Sequence, residues 1–370
     1  MKYYIIAGEA SGDLHGSMLM RALIERDPAA HFRFWGGEKM AAVSGDMVRD
    51  YRDTAVMGIV EVLSKAGRLR RNLAFCKEDI LAYAPDVVIL IDYPGFNLKI
   101  ARFAHEHGLR VYYYIAPKVW ASRESRVEQL KQYVDKLFVI FPFEVEWFRS
   151  RGIEPVYEGN PLVEHIDTAL AAAPSREEFL KKYGLDSGPL IALLPGSRMQ
   201  EIKYLEPRFM KVVEDGWYQY AIAAAPGIAP EVYDMYFPGV PVVEGDTYAL
   251  LKYASAAAVA SGTASLEAAI IGTPQVVCYG MNPITWRIAI SILKVKYISL
   301  ANLILDKPIF KELLQEKCTP EAISAELQCL AGDTDCRAAI AADYATLRTR
   351  LGESGAAKRI ADVLYRSIAD

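Results

Sequence analysis

At 370 residues the chain exceeds what one ordinary hydrophobic core accommodates and calls for two domains. Its 52% hydrophobic and 24% charged residues are those of a globular protein and exclude a disordered chain. A formal charge of −4 argues against nucleic acid as a main partner, although a local basic patch could still meet an anionic surface.

Residues 1–6 (MKYYII) run straight into a strand pattern, without the long apolar stretch and cleavage site of a secretory signal. Apolar runs occupy residues 3–7, 32–35, 87–91, 111–115 and 137–141, each leading into a helix-length segment. Strands buried on both faces read as continuous apolar runs, so the pattern predicts a parallel sheet with crossover helices. On the first helix Leu14, Met18, Leu19, Ala22 and Leu23 form the expected buried stripe. After Gly159-Asn160-Pro161 and the run 171–175 (AAAPS), Ser175 and Glu178 have the spacing of a helix N-cap and its partner.

A second series of runs follows at 190–194, 218–223, 241–243, 256–260 and 275–278, and beyond Thr319 the chain turns helical to Asp370. The fold class is therefore α/β: two Rossmann-like doubly wound domains, 1–165 and 166–345, facing a central cleft, with C-terminal helices. Residues 346–370 are expected to pack back on the first domain. Ligands bind at the carboxyl ends of the strands in such sheets, which places the expected site in that cleft.

The first strand–helix loop, Gly8-Glu9-Ala10-Ser11-Gly12-Asp13, is no dinucleotide fingerprint, and neither a P-loop nor a GxSxG elbow occurs. His105 and His107 are two apart on a predicted helix and make a poor metal pair. Asp333-Thr334-Asp335 reads as a helix cap. No metal and no organic cofactor is called for. The cysteines Cys76, Cys278, Cys318, Cys329 and Cys336 are odd in number and widely spaced, and read as buried thiols in a reducing compartment. No run reaches the ~20 apolar residues of a membrane span, so the expectation is a cytoplasmic protein with at most peripheral membrane contact.

Five stretches could carry chemistry or a surface contact. In residues 193–198 (LLPGSR), Gly196 lets the backbone approach a ligand, Ser197 opens a helix, and Arg198 offers a fork for phosphate oxygens. The plainer reading is a strand–helix turn with a surface arginine. In residues 260–267 (ASGTASLE), Ser261, Gly262, Thr263 and Ala264 form a second amide-rich start, and Glu267 could accept from ribose hydroxyls; a capped helix start is the alternative. Asp92, after the run 87–91, would place a general base at a strand's carboxyl end, or be a turn residue before Pro94. Glu9, Ser11 and Asp13 are first-loop candidates, or turn residues. Met57, Ile59, Val60, Val62 and Leu63 run into Lys65, Arg68, Arg70, Arg71 and Lys77, which suits a membrane-surface helix or a core helix with a solvated basic face.

Taken in order, residues 7–13 (AGEASGD), 55–63 (AVMGIVEVL), 85–97, 119–122 (VWAS), 193–198, 260–267, 299–303 (SLANL) and 311–316 (KELLQE) resemble lipid-A-disaccharide synthase. This family is an inverting, membrane-associated glycosyltransferase family of the two-Rossmann (GT-B) type. The resemblance covers nearly the whole chain. It implies UDP-2,3-diacylglucosamine as donor and 2,3-diacylglucosamine 1-phosphate (lipid X) as acceptor. The products would be the β-1′,6-linked disaccharide 1-phosphate and UDP, in lipopolysaccharide synthesis at the cytoplasmic face of a Gram-negative inner membrane. It makes Asp92 the general base and Arg198 the arginine on the UDP diphosphate. Ser261–Ala264 and Glu267 become the nucleotide loop and helix, with Asn302, Gln315 and Glu316 lining the nucleotide side. The segment 57–63 becomes the membrane contact. Departures from the family pattern are Gly95 three places after Asp92, Ser122, Asn160 and Gly280. The rival readings are a UDP-N-acetylglucosamine 2-epimerase-like isomerase, a murein-type N-acetylglucosaminyl transferase and a non-catalytic nucleotide-sugar binder.

Overall fold

The computed structural model describes residues 1–53, 62–292 and 295–369. Packing divides the chain into two units, Met1–Pro161 with Ser354–Asp370, and Leu162–Glu353.

The first unit is built on seven parallel strands: β1 (Lys2–Ala7), β2 (His31–Gly36), β3 (Met47–Asp50), β4 (Val87–Ile91), β5 (Val111–Tyr114), β6 (Lys136–Val139) and β7 (Val156–Tyr157). Their order is β3-β2-β1-β4-β5-β6-β7. In the central register Ile5 lies opposite Phe34 on one side and Ile89 on the other. Every residue of β4 is buried, as a strand covered by helices on both faces requires. The strand order reverses between β1 and β4, so the loops leaving these neighbours diverge and open a crevice at their carboxyl ends.

The second unit repeats the plan with β8 (Leu190–Leu194), β9 (Gln219–Ala223), β10 (Val242–Val243), β11 (Ala256–Ala260), β12 (Gln275–Tyr279) and β13 (Glu312–Leu314), in the order β10-β9-β8-β11-β12-β13. Here the reversal falls between β8 and β11. β11 is four alanines and a valine, all buried; burial and small size outweigh alanine's weak strand preference.

Three strands carry no apolar signal in the sequence: β3, β7 and β13. Each is the outermost strand of its sheet, bonded on one side only, and none of its residues is fully buried. The run 137–141 overshoots β6 because Ile140 and Phe141 lead into the helix Pro142–Arg149. The run 111–115 ends one residue early because Ile115 turns to φ 60°.

The helix Ala10–Arg26 is buried more widely than one stripe. Gly12, Asp13, His15, Gly16, Ser17, Leu19, Met20, Ala22 and Leu23 are all covered, whereas Leu14 and Met18 are only half-buried. One side meets the sheet and the helix Glu38–Ala41, with Gly12 and Gly16 against Ala7, Ile91 and Met40; the last helix, Ala356–Ala369, also packs on it through a face that buries Ala356, Ala357, Ile360, Ala361 and Leu364. Ion pairs Lys358–Glu25 (2.9 Å) and Arg26–Asp362 (3.2 Å) flank that contact. Ser175 and Glu178 form the capping box of the helix Arg176–Tyr183, and Asp333 caps Thr334–Leu351 through the amides of Asp335 and Cys336. Cys76, Cys278 and Cys318 are buried, but Cys329 and Cys336 are half-buried free thiols with their sulfurs 3.1 Å apart. They face each other because the two helices that carry them meet at Asp333. Among the described residues no helix is long and apolar enough to cross a membrane.

Candidate active site

In the first unit β4 ends at Ile91, and Asp92 and Tyr93 both take left-handed backbone, φ 43° and 47°. Non-glycine residues adopt it at a cost, and such strain gathers at functional sites. Two side chains hold the turn through one atom: the Asp92 carbonyl accepts from Asn97 Nδ2 at 2.8 Å and from the Tyr113 hydroxyl at 2.5 Å. The Tyr93 ring stacks on Phe96 with centroids 5.5 Å apart. It fills the space beside Gly8, where an added Cβ would lie 2.3 Å from Tyr93 Cγ. Burial pushes the Asp92 carboxyl above the ordinary aspartate range; the Lys118 ammonium opposes this and the Glu9 carboxylate adds to it. A partly desolvated carboxylate with raised proton affinity at a strand's carboxyl end is suited to general-base chemistry.

The first-loop candidates separate. Glu9 and Ser11 are exposed at the end of β1, beside Asp92 across the reversal in strand order. Asp13 is buried, and its carboxylate accepts from the backbone amides of Gly37 (2.7 Å), Met40 (3.0 Å) and Lys39 (3.1 Å). It caps the helix Glu38–Ala41 through those three amides. His105 and His107 are both exposed.

The segment after β5 is anchored by Trp120, whose indole donates to Glu144 Oε1 at 2.8 Å. Glu144 also accepts from the amides of Phe141 (3.0 Å) and Ile140 (3.2 Å). Its carboxyl is fully buried, and burial pushes it up to about 7 against these three donors and Lys118. Met57, Ile59 and Val60 lie outside the described residues; so do the side chains of Val62 and Leu63, which open the helix Val62–Tyr83.

In the second unit the two amide-rich starts leave neighbouring strands, β8 and β11, at the reversal in strand order. Gly196 has φ 102°, and an added Cβ would fall 2.3 Å from Glu201 Oε2. Arg198 is the N-cap of the helix Met199–Glu214. Glu201 accepts from the Ser197 amide at 3.1 Å and meets Arg198 Nη1 at 3.2 Å. The Arg198 side chain nevertheless remains 78% exposed, free to meet an anion with its other nitrogens. Ser261 follows β11, and Gly262 caps Thr263–Ile271 without a side chain, so the amides from Thr263 and Ala264 face outward from the helix start. Glu267 is half-buried one turn on; desolvation pushes its carboxyl up, and the Tyr248 hydroxyl donates to it at 2.9 Å.

Gln315 follows β13 in left-handed backbone, φ 51°. Its side-chain amide pairs with the Met281 carbonyl and N–H at 3.1 Å each, and its backbone carbonyl accepts from the Tyr204 hydroxyl at 3.0 Å. Glu316 is exposed beside it. Asn302 lies fully buried behind this edge: it donates to the Phe310 carbonyl and Glu312 and accepts from the Ile309 amide, so it braces the loop 306–312. Gly280 has a physical cause, since a Cβ there would meet Tyr204 Cζ at 1.9 Å. Sequence reasoning passed over Asn97, Tyr113, Lys118, Glu144, Tyr204 and Tyr248. Of these only Asn97, within the run 85–97, stood in a motif. Among the described residues no group of three His, Cys, Asp or Glu side chains is placed to hold a metal ion.

The family model for lipid-A-disaccharide synthetase matches residues 3–364. The chain belongs to the lipid-A-disaccharide synthase family. The lipid-A-disaccharide synthase of Myxococcus xanthus is 38% identical over 368 residues, covering 97% of this chain and 95% of that one. That of Syntrophus aciditrophicus is 37% identical over 378 residues, covering 96% and 95%. That of Coxiella burnetii is 33% identical over 371 residues, covering 98% of each. The chain is accordingly a glycosyltransferase, as the motifs implied.

Solved structures share the fold at low identity. A UDP-GlcNAc 2-epimerase from Neisseria meningitidis superposes with TM-score 0.65 at 11% identity, over 99% of this chain and 100% of that one. A spinosyn forosaminyltransferase gives 0.63 at 16%, over 100% of both chains. The architecture serves isomerases and transferases alike. The match to the synthase family decides between them.

Proposed function

We propose that the enzyme transfers 2,3-diacylglucosamine from UDP-2,3-diacylglucosamine to the 6-hydroxyl of lipid X at the cytoplasmic face of the inner membrane. The reading is carried by Asp92, a strained, desolvated carboxylate at the strand reversal of the first unit in a chain of this family. The acceptor oxygen attacks the donor anomeric carbon opposite the leaving diphosphate. The new C–O bond forms, the bond to UDP breaks, the configuration inverts, and the hydroxyl proton passes to Asp92. Arg198 and the helix starts at 196–198 and 261–264 stabilise the charge that grows on the departing diphosphate. Glu267 accepts from the ribose, while Gln315 and Glu316 border the nucleotide and Asn302 supports them. Segment 57–63 contacts the lipid surface, helped by the exposed Arg70 and Arg71 on the helix that follows.

The test is incubation of purified protein with both lipids. Release of UDP together with a disaccharide 1-phosphate is expected. UDP-sugar isomerisation without an acceptor would overturn the reading.

A further inference from the structure

The strand β5 neighbours β4, so residues 116–126 leave the sheet at the edge that carries Asp92. Their path is fixed. Ile115 and Arg123 take left-handed backbone, φ 60° and 59°, and Val119 and Trp120 are buried, with Trp120 tied to Glu144. The segment holds three cations, Lys118, Arg123 and Arg126, and one carboxylate, Glu124. Glu124 is engaged elsewhere, 2.7 Å from Arg151. Nearby Arg149 likewise has Glu154 at 2.6 Å. Among the described residues Arg123 and Arg126 have no carboxylate ion pair, and Lys118 lies within electrostatic reach of Asp92 and Glu144.

Arg126 is only half exposed, and burial together with the like charge of Arg123 weakens its hold on its proton. It also lies within electrostatic reach of the Tyr113 phenol, whose hydroxyl donates to the Asp92 carbonyl. Lys118 reaches Asp92 in the same way. Lys118 and Arg123 are exposed and Arg126 is half-buried, so all three can meet a compact anion with several acceptor oxygens.

We propose that Lys118, Arg123 and Arg126 form the subsite for a phosphate monoester on the acceptor, holding the sugar so that its free hydroxyl faces Asp92. This rests on the transfer reading above. It adds how an acceptor with a phosphate is told from one without. Arginine's fork suits a phosphate monoester, and Lys118 contributes a point charge.

The test compares lipid X with its dephosphorylated counterpart, 2,3-diacylglucosamine, as acceptors for the wild type and for Arg126→Met, Arg123→Ala and Lys118→Met. The wild type should prefer the phosphorylated acceptor by about ten- to a hundredfold in kcat/KM, the scale of one or two charge-assisted hydrogen bonds. In each variant that preference should shrink, through a higher acceptor KM, while UDP affinity and the unfolding midpoint stay at wild-type values. Arg126→Lys should restore part of it. Variants that keep the full preference would overturn the proposal. So would variants that lose binding to phosphatidylglycerol vesicles while keeping the preference, since the cluster would then serve lipid headgroups. A wild type inert with both acceptors would instead refute the transfer reading itself.

Discussion

Asp92 occupies a backbone conformation that an aspartate keeps only when its surroundings insist on it. Asn97, Tyr113 and the Tyr93 ring against Gly8 supply that insistence. If the carboxylate is the base, Asp92→Asn should cut turnover by about 10²–10⁴-fold and leave UDP affinity unchanged, as single-turnover assays and UDP titration would show. The base must be ionised to take a proton, and burial raises its affinity for one. Activity should therefore fall on acidification at a higher pH than an ordinary aspartate would give, visible as the acid limb of the kcat/KM profile. Gly8→Ala should force the Tyr93 ring aside, costing about 1–3 kcal/mol in a denaturant titration and lowering activity with it. At this scale the sequence was legible where a residue's meaning is local. Asp92, Arg198 and Glu267 follow from their places after strands. Tyr113 does not, because it acts on a carbonyl 21 residues away that only strand pairing brings near. The amide partners of Asp13 are hidden from the sequence for the same reason, since Gly37, Lys39 and Met40 arrive with the next strand.

Among the elements, the buried central strands and the helix caps were readable from apolar runs and from the Ser175–Glu178 spacing. The edge strands β3, β7 and β13 were not, since one-sided pairing asks little of composition. The segment after β5 was readable only as a motif; what fixes it is Glu144, buried beneath Trp120. With its folded pKa raised to about 7 from an ordinary 4.5, Glu144 favours the folded state most when protonated. That contribution is complete below pH 4.5 and lost as pH rises through 7. Relative to Glu144→Gln, the wild type should lose up to about 3 kcal/mol of stability across that window. Urea titrations of both proteins at several pH values would show the difference; parallel curves would remove Glu144 from this role.

The whole molecule is two sheets of one design, with Asp92 in the first and the starts at 196–198 and 261–264 in the second placed where the strand order reverses. The units are not consecutive in the chain, because residues 354–370 return to the first one. Removing them should uncover the apolar face of Ala10–Arg26 and destabilise the first unit, while the second still folds and binds UDP. Calorimetry should then show a lowered first transition beside an unaltered UDP-sensitive one.

The returning helix also orders events during synthesis. The segment 162–353 is complete on the ribosome while the first sheet still lacks the helix that packs on Ala10–Arg26. The unit whose residues are made first is thus the last to close, and until it does it offers a bare apolar surface to any chaperone within reach.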